Sequence, residues 1–335
     1  MSQSTWQRLF GWRHAFDEPV VVLIVAVLAT ALSLAPLAIV VLDRAGRIDP
    51  ALKADLRTRY RSWLIMVPII VTPVLLGAAW AMLAVAVLSL VCYREFSRLT
   101  GLFREKVMSA TVVLAMLVVT FSVIDHWYHL FVAMAPIAII VLAAVATSLD
   151  RPAGYIQRVA LAVFGFLLFG ICLGHLGYLA NDAHFRSLIL LVIFSAQTND
   201  IFAYMVGKSV GGPKLAPRTS PNKTIAGSLG ALVLTTLVVF GLSGLVFRDG
   251  VMSGTVQRLV LGMLISITGQ FGDLSLSAIK RDLNVKDTAA LIPGHGGVLD
   301  RANSLLLSAP TVFHFVEYFQ GIGLDQAPQI ITHWG

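Results

Sequence analysis

Polar and apolar positions alternate along this chain in blocks of about twenty residues, not in steps of two or four. A helix needs ~20 mostly apolar residues to cross a bilayer. Ten runs meet that need, near residues 19–42, 62–78, 79–94, 108–124, 130–148, 156–178, 186–207, 224–247, 257–280 and 302–320. The pattern predicts an all-α, polytopic integral membrane bundle of about ten transmembrane helices, nine plus or minus one. The second and third runs share an unbroken stretch from Trp63 to Cys92 that contains Pro68 and Pro73. It reads as a tight helical hairpin or as one long kinked helix. The hairpin is favoured, because thirty residues is too many for one crossing. The first run, Pro19 to Leu42, is too long for the apolar core of a signal peptide and is expected to span.

Composition agrees with the pattern. Hydrophobic residues make up 57% of the chain and charged residues 13%, against about 25% charged in a soluble domain. Cys92 and Cys172 both lie in apolar runs, so no disulfide framework is implied. With ten spans, one set of loops holds twenty of the twenty-five lysines and arginines and the other set, termini included, holds five. Eight of the twenty lie in loops with candidate chemistry, and the remaining twelve still outnumber five. Basic loops mark the cytoplasmic side, which puts both termini outside. The segment "TWQRLFGWRHAF" pulls the other way. It is basic and aromatic, like an interfacial helix. A second amphipathic stretch, Asp49 to Leu64, sets Leu52, Leu56, Tyr60 and Trp63 against a basic face and predicts a surface helix on anionic lipid. The expected layout is an extension over residues 1–60, membrane helices over 61–185, a catalytic membrane unit over 186–320 and a short tail over 321–335.

Most spans carry no chemistry. Gly170, Gly174 and Gly177 suit close helix packing, and His175 among them reads as a packing histidine. Three places differ. The seventh span buries Asn199 and Asp200, and a carboxylate at that depth marks a function or a helix-packing hydrogen bond. Asp200, Ala203, Tyr204 and Gly207 share one helical face. The loop Pro213–Gly227 ends in Ser220, Pro221, Asn222, Lys223 and Thr224 just before a helix. That is an anion site, or a basic loop with an Asn or Thr cap. The third place runs from "GDLSLSAIKR" to "DRANS". Asp273, Ser277, Lys280 and Arg281 share a helical face. A loop with Lys286, Asp287, Pro293, His295, Gly296 and Gly297 follows, and Asp300, alone an ordinary helix cap, opens the last helix. Two carboxylates separated by cations suit a divalent metal and several phosphates.

These motifs resemble the phosphatidate cytidylyltransferase (CDP-diacylglycerol synthase) family. The resemblance rests on Ser277-Ala-Ile-Lys280-Arg281, Lys286-Asp287, Pro293-Gly-His295-Gly296-Gly297 and Asp300-Arg301-Ala-Asn303, with "GDLSLS", "SPNKTIAG" and "NDIFAYMVGK" upstream. It covers residues 60–320, and the first span looks like an addition. It implies transfer of a cytidylyl group from CTP to phosphatidate, giving CDP-diacylglycerol and pyrophosphate. It assigns Asp273 and Asp300 to Mg²⁺, with a monovalent cation such as K⁺ nearby. Lys223, Lys280, Arg281 and Lys286 are assigned to phosphates, and Ser220, Ser277 and His295 to further phosphate or nucleotide contacts. Asn222, Thr224, Asp287, Gly296, Gly297 and Arg301 fall in the same motifs, and Asn199 and Asp200 are expected to complete the pocket. Asn303 departs from the pattern, which has a second aspartate there, and is expected to be a weak third metal ligand. The expected partners are CTP, phosphatidate or a related acidic lipid, and bilayer lipids, with no nucleic acid. A homodimer is compatible with the sequence. The expected location is the bacterial cytoplasmic membrane, with the site on its inner face. A CTP-dependent lipid kinase, a cytidylyltransferase for another phospholipid and a transporter are the alternatives.

Overall fold

The computed structural model describes residues 3–324 and 326–332; the end of the predicted tail, 333–335, lies outside the described residues. A short amphipathic helix α1 (Gln3–Phe10) precedes the membrane helices α2 (Pro19–Arg44), α3 (Pro50–Leu76), α4 (Ala78–Thr100), α5 (Lys106–Ile124) and α6 (Tyr128–Ser148). The next crossing, Tyr155–Asn181, is built from α7 (Tyr155–Gly165), a π-helical turn over Phe166–Cys172 and α8 (Leu173–Tyr178). Then come α9 (Phe185–Val210), a two-stranded antiparallel hairpin of β1 (Lys214–Ala216) and β2 (Ser220–Thr224), α10 (Ile225–Val246), α11 (Thr255–Asp282), α12 (Val298–Ala302) and α13 (Leu305–Gln320). Among the described residues, nine helices are long and apolar enough to span a membrane. The protein is an integral membrane protein. The tenth predicted span is α13, with 16 residues.

Trp63 to Cys92 is a hairpin, as the length argument requires. Gly77 breaks it at φ 143°, and a Cβ there would lie 2.3 Å from the Leu9 carbonyl oxygen. Pro68 and Pro73 sit inside α3 without ending it. One expectation is corrected. The amphipathic stretch 49–64 is not a separate surface helix, because Asp49 caps α3 by accepting from Leu52 N at 2.6 Å and the helix runs unbroken to Leu76. Nothing between Leu52 and Trp63 stops it, since Pro and Gly are absent there.

Small residues set the packing of the core. A Cβ on Gly170 would come within 3.2 Å of Met116, and one on Gly174 within 3.1 Å of Phe131 and Val119. His175 bonds the Ile171 carbonyl at 2.8 Å and packs edge-on against Phe131 and Phe313. It is a packing histidine.

The two ends of the bundle differ in chemistry. At one end α1 folds over the α3–α4 turn, with Arg8 donating to the Ala180 carbonyl and the Asn181 side chain. The chain after α13 is tied there too, since Ile331 N and Thr332 N donate to Asp125 Oδ1. This places the N-terminal basic-aromatic segment at the end away from the Gly-rich loop. The other end gathers the β-hairpin, the loop 283–297 and the start of α3.

Candidate active site

A cavity of about 820 Å³ opens at this second end, between α9, the β-hairpin, α10, α11 and α12. Its wall brings together Asp200, Ser220, Asn222, Lys223, Thr224, Asp273, Asp300, Arg301 and Asn303, all singled out from the sequence. Lys208 and Lys214 add two cations, and Ser228 and Gln270 add neutral polar groups.

Helix geometry explains how these residues meet. Asp200, Ala203, Tyr204 and Gly207 lie on one face of α9 and line the cavity together. Strand β2 carries Ser220, Asn222 and Lys223 along the opposite wall and runs into α10, where Thr224 caps the helix by accepting from Gly227 N at 3.0 Å. Ile225 N donates to the Pro213 carbonyl at 3.0 Å, so the helix start is tied to the hairpin while its dipole still favours an anion. Lys223 Nζ pairs with Asp273 Oδ2 at 2.5 Å, and both side chains stay 20% exposed. Asp200 accepts from Ser304 Oγ at 2.8 Å.

Asp300 has a second job. Its Oδ1 meets Lys280 Nζ at 2.7 Å, and its Oδ2 accepts from Thr288 N, Thr288 Oγ1 and Gly297 N at 2.9–3.0 Å. Burial alone would push its carboxyl up, but Lys280 and these N–H groups outweigh burial and hold it below the ordinary carboxylate range. Asp300 therefore folds the Gly-rich loop back onto α11 as well as facing the cavity.

Glu95, which the sequence reading missed, works beside it. Its carboxylate reaches from α4 to accept from Val298 N at 2.9 Å, Leu299 N at 3.0 Å and Thr288 Oγ1 at 2.9 Å. It is 4% exposed. Gly297 is required by this contact, since a Cβ there would lie 2.4 Å from Glu95 Oε2 and 2.2 Å from Thr288 Oγ1. A signal existed in the sequence: Glu95 is a lone carboxylate between Arg94 and Arg98 at the end of a span.

The other predicted residues stand outside the cavity wall. Asn199 is fully buried and turned away, accepting from Thr235 Oγ1 at 3.1 Å and Ser266 Oγ at 2.6 Å in the α9–α10–α11 seam. Arg281 donates to the Thr219 carbonyl at 3.3 Å and so steadies the hairpin turn. Ser277 is half-buried, while Lys286 and Asp287 are exposed on the loop. A Cβ on Gly296 would meet Asp300 Oδ2 at 2.8 Å, so the loop closes tightly there. His295 is buried against the Trp63 ring. Burial lowers its basicity, with Arg301 and Arg59 adding to the effect, so it is a neutral wedge under the loop at pH 7 and not a phosphate cation.

Asn303 does not point its oxygen at Asp273. Its amide nitrogen donates to Asp273 Oδ1 at 2.5 Å, while its oxygen accepts from Ser304 N at 2.8 Å. Among the described residues no three His, Cys, Asp or Glu side chains form a ready-made metal cage.

Comparison with known proteins places this geometry. A profile described as the cytidylyltransferase family matches residues 57–319. A protein of Escherichia coli (strain K12) that carries the name Uncharacterized protein YnbB is 32% identical over 79% of this chain and 88% of its own length. The phosphatidate cytidylyltransferase of Rickettsia bellii is 36% identical over 45% of this chain and 67% of its own. That of Brucella abortus is 39% identical over 43% of this chain and about half, 52%, of its own. A matched span of this length, holding every carboxylate and cation of the cavity, makes this chain a member of the cytidylyltransferase family and a membrane nucleotidyltransferase.

Proposed function

We propose that the protein transfers the cytidylyl group of CTP to the phosphate of phosphatidate, releasing pyrophosphate and leaving CDP-diacylglycerol in the membrane. The observation that carries this reading is the cavity itself. Lys208, Lys214, Lys223 and Arg301 line, together with Asp200, Asp273 and Asp300, a space of about 820 Å³ at one end of an apolar bundle. A nucleotide triphosphate brings more negative charge than that balance neutralises. Lys223, in β2 just before α10, and Arg301, in α12, are placed to hold phosphate oxygens as charge moves toward the leaving group. No covalent intermediate on the protein is needed, so these side chains act by positioning and neutralisation.

The donor set fits Mg²⁺. This ion takes one or two carboxylates, keeps several waters and uses substrate phosphates for the rest. Asp273 would hold it, with Oδ1 of Asp300, which carries only Lys280, as the second oxygen. When bound, the ion would neutralise the transferring phosphate. Asn303 would serve by holding Asp273 in place.

The direct test is purified protein in detergent with CTP, Mg²⁺ and phosphatidate. Pyrophosphate release supports the reading. CDP release in its place would mean a lipid kinase.

Asn303→Asp follows from the same contact. The new carboxylate keeps the oxygen that accepts from Ser304 N but sets a second anion against Asp273. The variant should melt below wild type in chelator and recover as Mg²⁺ is added, since binding to the folded state stabilises it. It should also reach half-maximal turnover at lower Mg²⁺. A melting temperature indifferent to Mg²⁺ would remove position 303 from the metal environment.

The proposed orientation puts the cavity on the cytoplasmic side of a bacterial inner membrane, from the loop charges. An engineered cysteine at the exposed Leu291 should then resist an impermeant thiol reagent in intact cells, and one at the exposed Asp249 should react. The reverse pattern would invert the topology.

A further inference from the structure

The helix that lies outside the family match does not pack like the others. Val20, Val21 and Ile24 of α2 are buried at the end away from the cavity, and beyond Ile24 no residue of α2 is buried. Alongside that detached stretch runs a second cavity of about 600 Å³, bounded by α2, α3 and α9. Its volume falls within the range of about 300–1000 Å³ for small-molecule sites. Leu28, Leu32 and Ile39 of α2 face Val67 and Ile70 of α3 and Ile193 of α9.

The polar residues of this groove include Arg59, Tyr60 and Gln197, and they sit toward the catalytic end. Arg59 Cγ lies 3.2 Å from where a Cβ on Gly294 would be, so this arginine adjoins the Gly-rich loop. Its Nε holds Asp55 at 2.8 Å, and the side chain remains about half exposed. Gln197 Nε2 donates to the Arg301 carbonyl at 3.3 Å, and Arg301 itself lines the catalytic cavity. One helix thus divides the two spaces. Ile193, Gln197 and Ile201 of α9 face the apolar groove, and Asp200, Ala203 and Tyr204 face the polar cavity.

We infer that this groove seats an acyl chain of the acceptor lipid, with the anionic phosphate lying past Arg59 and Gln197 toward Arg301, and that α2 selects the chain. The inference rests on the reading that the acceptor is an acidic glycerophospholipid. An acyl chain gains little by leaving bilayer for groove, because both are hydrocarbon, so selection comes from packing shape and from the charged mouth. The arginine at the mouth, Arg59, matches a phosphate monoester better than a zwitterionic headgroup.

The test uses the full-length purified protein and a long-chain phosphatidate carrying a photoreactive group on one acyl chain. Labelled residues should map to α2, α3 and α9 around the groove. Excess unlabelled phosphatidate should abolish the labelling, and equal phosphatidylcholine should not. Ala35→Trp, which fills the groove from a residue that is not part of the buried core, should cut labelling and raise the KM for long-chain phosphatidate about tenfold, the size of an overpacking penalty. The KM for dihexanoyl phosphatidate should not move. Equal competition by phosphatidylcholine would mean bulk lipid only, and crosslinking of an Ala35→Cys variant to a second copy would mean a dimer seam; either overturns the inference. Selective labelling without pyrophosphate release would leave the groove standing and defeat the proposed reaction instead.

Discussion

Asp273→Ala should lose at least about a hundredfold to a thousandfold in pyrophosphate release while melting within a few degrees of wild type. Its carboxylate pairs with Lys223 and accepts from Asn303 on the wall of the open cavity and holds no backbone N–H, so water entering the cavity can solvate the Nζ that its removal uncovers. Asp300→Ala should lose as much activity and melt well below wild type. There the partner Lys280 is only 13% exposed, and two backbone N–H groups lose their acceptor with it. Removing one member of a buried pair costs about 3–5 kcal/mol. Turnover measured beside thermal unfolding in the same detergent separates the two carboxylates. An Asp273→Ala protein with a tenth or more of wild-type turnover would sink the assignment, and equal melting of both variants would sink the structural half of it.

Glu95→Ala should come next in size although Glu95 touches no cavity wall. Two N–H groups at the start of α12 would lose their acceptor, at about 1–3 kcal/mol for each buried group left unpaired, while the Thr288 hydroxyl keeps Asp300 Oδ2. The loop carrying Asp300 would then drift. Activity should fall at least about tenfold, a cost of about 1.4 kcal/mol in positioning, with a lowered melting temperature. Glu95→Gln keeps acceptor oxygen at nearly the same shape and should recover part of both. Wild-type turnover and stability in Glu95→Ala would show that α12 is held by something else.

The contrast between these residues explains what was legible beforehand. Spans are written in composition, because hydrocarbon solvent demands a continuous apolar run, and the α3–α4 hairpin followed from length alone. Asp200, Lys223, Asp273 and Arg301 were legible because charge is conspicuous beside membrane helices and because helical spacing put each set on one face. Glu95 was not, since its partners lie 193 to 204 residues away and no local pattern announces them. Asn199 misled for a subtler reason. It is the immediate neighbour of Asp200, and one residue of helix turns it about 100° out of the cavity and into a seam with Thr235 and Ser266. At Asn303 the residue was noticed but not the direction of its amide, which only the neighbouring Ser304 N–H decides.

The shortness of α13 also sets where the chemistry meets its reactants. Sixteen residues of helix measure about 24 Å, and the hydrocarbon layer is about 30 Å thick. The chain beyond this helix is anchored on Asp125 at the far end, so the shortfall falls on the side of Asp300, Asn303 and Ser304. Asn303 meets Asp273, nine residues before α11 ends at Asp282, so these residues lie about 13 Å short of the end of that neighbouring helix. In the proposed reaction, a lipid phosphate drifting sideways in its leaflet would arrive at their level without being lifted from the membrane. The soluble nucleotide would make the descent instead, and pyrophosphate would climb back out.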